Sequence, residues 1–188
     1  QLKDIFESDI PGMVRSEAKF KINTVDPRAM TRILKMSTNL IYVTTFDDKS
    51  SASQVINAQF SKESKEKTKN DSNIYSLRME DKYAIGQEVL YLFGNTEEEL
   101  IENLKKNGDR LQNLFEVRER GRLEKALLAR KNSEANVEAK NKLGIDINIP
   151  ASYKVAKSDD DFIWVRQITP SGNRADISLF FYETDYTS

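Results

Sequence analysis

The sequence predicts an α+β protein in which an antiparallel sheet carries helices packed on one face. Three observations support this class. Segments with an apolar residue at every second position occur before residue 96 and again after residue 143. The region between them, 96–142, keeps the apolar spacing of helices. The predicted element order, β-α-β-β-β-α and then further strands, indicates a ferredoxin-like first part followed by an antiparallel β meander.

The first 36 residues predict two short helices around a strand. The first helix covers residues 2–8, and the alternation of residues 19–25 is typical of a half-buried strand. Asp26 and Pro27 are a helix cap and a first-turn proline, so a second helix begins there. We expect three apolar residues on the inner face of that helix: Met30, Ile33 and Leu34.

Four more strands are predicted before residue 96. Residues 39–46 are apolar on both sides, which is typical of a central strand. Residues 55–60 form a weaker candidate, and 73–79 with 87–93 predict a strand pair. The charged stretch 62–71 has no apolar residue and predicts a solvated loop or hairpin tip. A nucleic-acid contact is the alternative there, although the charges nearly cancel.

The long helical zone, 96–142, begins at a well-marked cap. Thr96 and Glu99 have the spacing of a capping box, in which each side chain bonds the backbone amide of the other residue. Gly108 and Gly121 interrupt the apolar spacing, so we expect two or three helical pieces with breaks near the glycines. Gly144 is expected to end the zone.

Beyond the helical zone the apolar period returns to two. Alternating segments around Ile147, Trp164 and Leu179 predict a meander with turns at Pro150, 158–161 and 170–173. The apolar face of this meander needs a cover, either the long helices or a further segment. Two domains are therefore predicted. They are an α+β domain over residues 1–142 and a meander over 143–188 that begins an incomplete second half.

Composition excludes several chemistries. The 188 residues contain no His and no Cys, so there is no Cys nucleophile, imidazole base, disulfide or usual zinc site. No glycine-rich phosphate loop is present either. Carboxylate pairs and Ser–Lys pairs remain, but no feature selects a site for them. The prediction is a protein without enzymatic activity, catalytic residues, cofactor or metal.

Charge and hydropathy restrict the partners. There are 29 Lys and Arg against 30 Asp and Glu, and this near-zero net charge argues against nucleic-acid binding. No apolar run approaches the length of about 18 residues that a membrane span needs. No feature of the sequence indicates the oligomeric state.

Aromatic residues in the meander are the first candidate binding group. Trp164 lies between Phe162 and Arg166 on one strand face, and such faces can stack on sugars or bases. Tyr153 could extend this surface if it shares the same face, together with Phe180 and Tyr182. A buried core position for Trp164 is the alternative.

Basic and acidic clusters are the other candidates. Arg118 and Arg122 belong to a basic stretch of the helical zone that could bind an anion, because arginine binds phosphates bidentately. A solvated helix with internal ion pairs is the alternative. Asp159-Asp160-Asp161 could hold a hard cation, or it could form a polar turn that caps its own backbone.

Several short motifs of the sequence are specific enough to compare with known families. They span about residues 9–182 and are Ile10-Pro11-Gly12, Ala84-x-x-Gln87, Leu114-Phe115 followed by Glu119-Arg120, Leu143-Gly144-Ile145, Ile149-Pro150-x-x-Tyr153 and Asp161-Phe162-Ile163-Trp164-Val165-Arg166. Together they resemble an uncharacterised domain-of-unknown-function family of predicted exported lipoproteins from Bacteroides-type bacteria. The resemblance implies a cell-envelope location, periplasmic or membrane-anchored, and a lipid anchor upstream of Gln1.

Three functions follow from these observations. The leading hypothesis is a non-catalytic cell-envelope module that binds an envelope protein or a glycan, or that has a structural role. The second is an envelope enzyme that acts on glycans through carboxylates. The third is ferredoxin-like nucleic-acid binding, which requires exposed aromatic residues on the first sheet.

Overall fold

The computed structural model describes residues 1–168 and 176–184. The chain forms two compact units, Gln1–Glu119 and Arg120–Ser188. Each described unit contains one three-stranded sheet with helices, so the predicted α+β class is confirmed. This division by compactness does not test the predicted domains, residues 1–142 and 143–188, which stay a prediction.

The sheet of the first unit has the order β1-β3-β2. Its strands are β1 (Asn39–Thr45), β2 (Ser76–Glu80) and β3 (Glu88–Gly94). β3 pairs parallel with β1 and antiparallel with β2, and all of its residues are buried. The prediction that residues 39–46 are central was wrong, because β3 takes the middle position and leaves β1 at the edge. The ferredoxin-like detail is not confirmed by this three-stranded sheet.

Both faces of the first sheet are covered, which corrects the prediction of helices on one face. Helix α1 (Leu2–Phe6) lies on one face, and two short helical segments, Pro27–Ala29 and α2 (Arg32–Lys35), follow it along the chain. Two clusters enclose the sheet. The first joins Phe6 and Phe115 to Leu90 and Leu92, and the second joins Ile56 to Tyr42 and Tyr91.

Two predicted irregular or extended segments are helices. The strand predicted over residues 55–60 does not form, because residues 55–57 are the end of α3 (Ser51–Asn57). The Ser50 hydroxyl caps this helix by accepting from the Ser53 amide. Residues 62–70 form α4 (Lys62–Asn70) rather than a loop. Ser61 caps α4, and Glu63 pairs with Lys67 one turn later at 2.8 Å, so polar contacts offset the missing apolar residues.

The strand predicted over residues 19–25 does not form. The amide of Phe20 donates to the Phe6 carbonyl at 3.1 Å, and the amide of Ile22 donates to the Glu7 carboxylate at 2.8 Å. These bonds lead to a helix and not to a neighbouring strand. Phe20 and Ile22 nevertheless pack against the first cluster, so the predicted inner face is correct. Ile33 is 82% exposed, which corrects its predicted inner position.

Helix α5 (Glu97–Leu127) is continuous through both glycines, so the predicted breaks were wrong. A Cβ at Gly108 would lie 3.1 Å from Cγ1 of Ile5, so glycine permits the close approach of α1. Thr96 caps the helix by accepting from the Glu99 amide at 3.3 Å. The Glu99 carboxylate instead accepts from the Asn95 side chain, so only half of the capping box forms.

The second unit contains helix α6 (Ser133–Leu143) and the predicted antiparallel meander. Its strands are β4 (Lys154–Ser158), β5 (Phe162–Gln167) and β6 (Ile177–Tyr182), in the order β4-β5-β6. Gly144 ends α6 in the left-handed conformation, with φ at 65°. The predicted turn at 158–161 joins β4 to β5, whereas the turn predicted at 170–173 lies outside the described residues.

One face of the meander is covered by α6. Ala135 and Ala139, both without exposed surface, let the helix pack closely on Ile163 and Val165. Residues 145–149 are not a strand, although alternation predicted one. Ile149 is buried, and its amide donates to the Asn136 side chain at 2.8 Å. The alternation of apolar residues in this segment therefore reflects the burial of single side chains and not a strand.

Candidate functional site: an aromatic sheet face

The meander face opposite α6 carries a group of aromatic side chains. Successive strand residues point to opposite faces, and Ile163 and Val165 of β5 belong to the core with α6. Phe162 and Trp164 therefore lie on the other face, where β6 places Tyr182 and Phe180 directly opposite them. These four residues, Phe162, Trp164, Phe180 and Tyr182, are called the aromatic face below.

Phe180 is the centre of the aromatic face. Its ring centroid lies 5.7 Å from that of Trp164 and 6.1 Å from that of Phe162. Both ring pairs are stacked, with interplanar angles of 28°. Phe180 is 56% exposed and Tyr182 is 68% exposed, so much of this apolar surface is in contact with water. An exposed and ordered group of stacked rings is a typical surface for binding a flat ligand.

Charged residues surround the rings. The Arg166 guanidinium lies 5.9 Å from the Trp164 ring, and its Nε lies 3.5 Å from the Asp176 carboxylate. On the other side, the Lys157 ammonium lies 5.7 Å from the Phe162 ring. A hydrogen bond with Asp159 raises the pKa of Lys157, which keeps this group charged. The face therefore combines stacking surface with donors and acceptors at its border.

The indole nitrogen of Trp164 is an unpaired donor. Its Nε1 is buried and has no hydrogen-bond partner among the residues that the structure describes. Trp side chains usually find a partner for this group when they are buried. A buried donor without a partner costs about 1–3 kcal/mol.

The structure brings two of the five predicted binding residues to this face. Trp164 and Arg166 lie on it, whereas Tyr153 packs against the α6 cluster on the covered side. Arg118 lies in α5 and forms ion pairs with Glu80 at 3.3 Å and Asp81 at 2.7 Å. Arg122, one turn later in α5, also has an interaction partner.

Residues that sequence reasoning missed are Lys157 and Asp176. Lys157 becomes part of the border because it pairs with Trp164 across β4 and β5, after a register shift between Val155 and Lys157. No simple sequence pattern predicts the register of a strand that contains a bulge. The alternation of β6 predicts that Phe180 and Tyr182 lie on the same side of the strand. It does not predict which face of the sheet that side belongs to.

The described residues contain neither a metal-binding group of side chains nor a helix that could span a membrane. The predicted acidic turn contains Asp159, which pairs with Lys157 at 2.6 Å. Residues 1–168 and 176–184 contain no group of three or more acidic side chains placed to hold a metal ion. Within the same ranges, no helix has both the length and the apolar character to cross a membrane.

The fold and this face define a two-unit α+β protein with an exposed aromatic sheet surface. The family model described as "Domain of unknown function (DUF8532)" matches residues 1–128, and the chain belongs to that family. A second model, "Domain of unknown function (DUF4837)", matches residues 131–188. No curated protein and no solved structure matches the chain. The matches confirm the prediction of a domain-of-unknown-function family.

Proposed function

We propose that the chain is a non-catalytic cell-envelope module that binds a glycan through the aromatic face. The observation that carries the proposal is the stack of Phe162, Phe180 and Trp164 on a sheet surface exposed to water. Sugar rings present apolar C–H surfaces that pack on aromatic rings, and their hydroxyls bond polar groups at the edges. The absence of His and Cys from the sequence supports a binding role over a catalytic one.

The border of the face supports a glycan over an apolar ligand. Arg166 and Lys157 offer donors, and Asp176 and Asp159 offer acceptors. A purely apolar ligand would leave these groups without new partners. A sugar chain could bond them while its rings lie on Phe180.

The envelope location rests on the resemblance to exported lipoproteins. We infer that the protein is exported to the cell envelope and anchored there by a lipid. Fractionation of the producing cells with an antibody against this chain tests the location. Recovery in the envelope fraction, with a labelled fatty acid attached, is expected. Recovery in the cytosolic fraction alone would contradict it.

The single tryptophan makes the glycan proposal directly testable. Trp164 is the only Trp in the sequence, so tryptophan fluorescence, excited selectively over the seven tyrosines, reports on the aromatic face. We expect soluble peptidoglycan fragments to change this fluorescence in a saturable way. The Phe180→Ala variant should bind about tenfold more weakly or worse, since loss of a stacking partner costs about 1–3 kcal/mol.

A matched control separates binding from folding. Val137 is an exposed apolar residue of α6, at 57% exposure, and the Val137→Ala variant should bind as the unchanged protein does. Unchanged fluorescence at saturating fragment concentrations, or equal binding by Phe180→Ala, would overturn the glycan proposal. New reducing ends in the same incubation would overturn the non-catalytic part and favour the carboxylate enzyme.

A further inference from the structure

Strand β1 lies at the edge of the first sheet, and only one of its sides pairs with β3. The Glu88 amide donates to the Thr38 carbonyl at 2.8 Å, and the Phe46 amide donates to the Gly94 carbonyl at 2.9 Å. These bonds and the parallel register show that even-numbered residues of β1 direct their backbone groups toward β3. In a strand the backbone groups of alternate residues point to opposite sides, so the odd-numbered residues direct theirs outward.

Two outward residues have no hydrogen-bond partner for their backbone. Within the described residues, nothing bonds the outward N–H and C=O groups of Ile41 and Val43, and both residues are half-buried. Thr45 differs, because its carbonyl accepts from the Asn57 side chain at 3.0 Å. An edge strand with a row of unpaired N–H and C=O groups is a template on which another extended chain can pair.

A groove of about 590 Å³ lies along this edge. Its volume is within the range of roughly 300–1,000 Å³ that ligand sites have. One wall contains Phe6, Phe20 and Phe115 from the cluster on one face of the sheet. The other wall contains Met30 and Ile56 from the cluster on the opposite face. These two walls are mainly apolar, although Lys21, Asn23 and Thr24 also line the groove, and the unpaired backbone groups lie between the walls.

We propose that this groove binds an extended apolar segment of a partner protein, which pairs with Ile41 and Val43 as a fourth strand. Donors and acceptors that repeat at every second residue match the backbone of an extended peptide. The partner segment must be apolar on both sides, because its alternate side chains meet two apolar walls. An added strand here would also give the sheet the fourth strand, beside β1, that a ferredoxin-like sheet has.

This inference is independent of glycan binding, because it concerns another unit and another ligand. The probe is an acetylated and amidated hexapeptide, Lys-Val-Leu-Val-Leu-Lys, with a matched peptide whose four apolar residues carry N-methyl groups. The two peptides have the same side chains, but the four apolar residues of the methylated one cannot donate backbone hydrogen bonds. Residue-resolved amide hydrogen exchange, measured by NMR, reports on each residue of β1 separately.

The expected result is an alternating pattern. In the free protein the amides of Ile41 and Val43 should exchange at least about tenfold faster than those of Tyr42 and Thr44, which bond β3. The unmodified peptide should slow Ile41 and Val43 by about tenfold or more, and the methylated peptide should not. Equal protection by the two peptides, or no added protection by the unmodified one, would overturn the proposal.

A pair of variants tests the same edge. Val43→Pro removes an outward N–H and leaves the bonds to β3 intact, so the fold should persist while peptide binding is lost. Val43→Ile keeps the amide and should keep binding. If Ile41 and Val43 are already protected in the free protein and sedimentation shows a dimer, a second copy covers the edge and the partner proposal is wrong.

Discussion

The fully buried carboxylate of Glu88, at the start of the central strand β3, is held by the guanidinium of Arg78 from β2. Nε of Arg78 donates to Oε1 of Glu88 at 2.6 Å, and Nη2 donates to Oε2 at 2.9 Å. Arg78 is 41% exposed and also pairs with Glu80, whereas Glu88 has no exposed surface. The sheet can therefore bury a charge only while this bidentate pair is formed.

Removing Arg78 is expected to destabilise the protein. Loss of one partner from a buried pair costs about 3–5 kcal/mol, and we expect about 2–3 kcal/mol for Arg78→Met because water reaches the exposed part of this pair. Urea unfolding measures the change. Arg118→Met is the control, since Arg118 pairs with two half-exposed carboxylates, and it should cost less than about 1 kcal/mol. Equal losses would contradict the buried-pair account.

The two glycines of α5 should respond differently to alanine. Gly121→Ala is expected to raise stability by about 0.5–1 kcal/mol, because alanine favours helix and nothing lies within 4 Å of the new Cβ. Gly108→Ala should gain less or lose stability, since its Cβ would lie 3.1 Å from the Ile5 side chain. Urea unfolding of both variants gives the comparison. A larger gain at Gly108 would contradict the close packing of α1 on α5.

Alkaline pH should weaken the first unit through Tyr91. Burial raises the pKa of Tyr91 above its ordinary value of 10.0, and the neighbouring Tyr83 adds to this. The folded state thus prefers the neutral phenol. This stabilisation is complete below pH 10 and is lost as the pH rises further, because the unfolded chain ionises first.

The Tyr91→Phe variant tests this dependence. Its free energy of unfolding should fall less steeply than that of the unchanged protein between about pH 8 and pH 11. The variant also loses the hydrogen bonds to Lys82 and Gln59, so only the slope is informative. Val89→Ala, a buried neighbour without a titratable group, should lower the whole curve and keep the slope. Identical slopes for Tyr91→Phe and the unchanged protein would refute the account.

The Asp26–Arg28 pair can be tested by titration. Side-chain and backbone hydrogen bonds from Arg28 lower the pKa of Asp26 from 3.8 to about 2. The contribution of this contact is present above pH 3.8 and is lost as the pH falls toward 2. In Arg28→Gln, NMR titration should show the Asp26 pKa move back toward 3.8. The pKa of Asp48, which Ser53 and Ser50 lower, is the control and should not move.

Local sequence patterns predicted those helices and strands whose positions depend on apolar spacing or on capping residues. The strand pair that became β2 and β3, the start of α5 at Thr96 and the stop at Gly144 all depend on neighbouring residues. Helix α4 was missed because its stability comes from a cap and an ion pair rather than from an apolar face. Strand order was missed too, since tertiary packing decides which strand is central.

Only part of the aromatic face could be predicted from the sequence, for a similar reason. Alternation put Trp164 and Arg166 on one side of a strand, and this pairing is confirmed. Alternation could not say which side α6 covers, because that depends on the small surfaces of Ala135 and Ala139. Alternation also could not show that Arg118 forms ion pairs with Glu80 and Asp81, which are distant from it in sequence.

The hydrogen bond from Asn57 to the Thr45 carbonyl has a consequence for solubility. An open strand edge is a template on which other chains can assemble into aggregates, and longer edges recruit them more readily. By occupying the outward carbonyl at the end of β1, Asn57 shortens the edge that a foreign strand could use. The fold thereby leaves fewer unpaired backbone groups at this end of β1 than a fully open edge strand would expose.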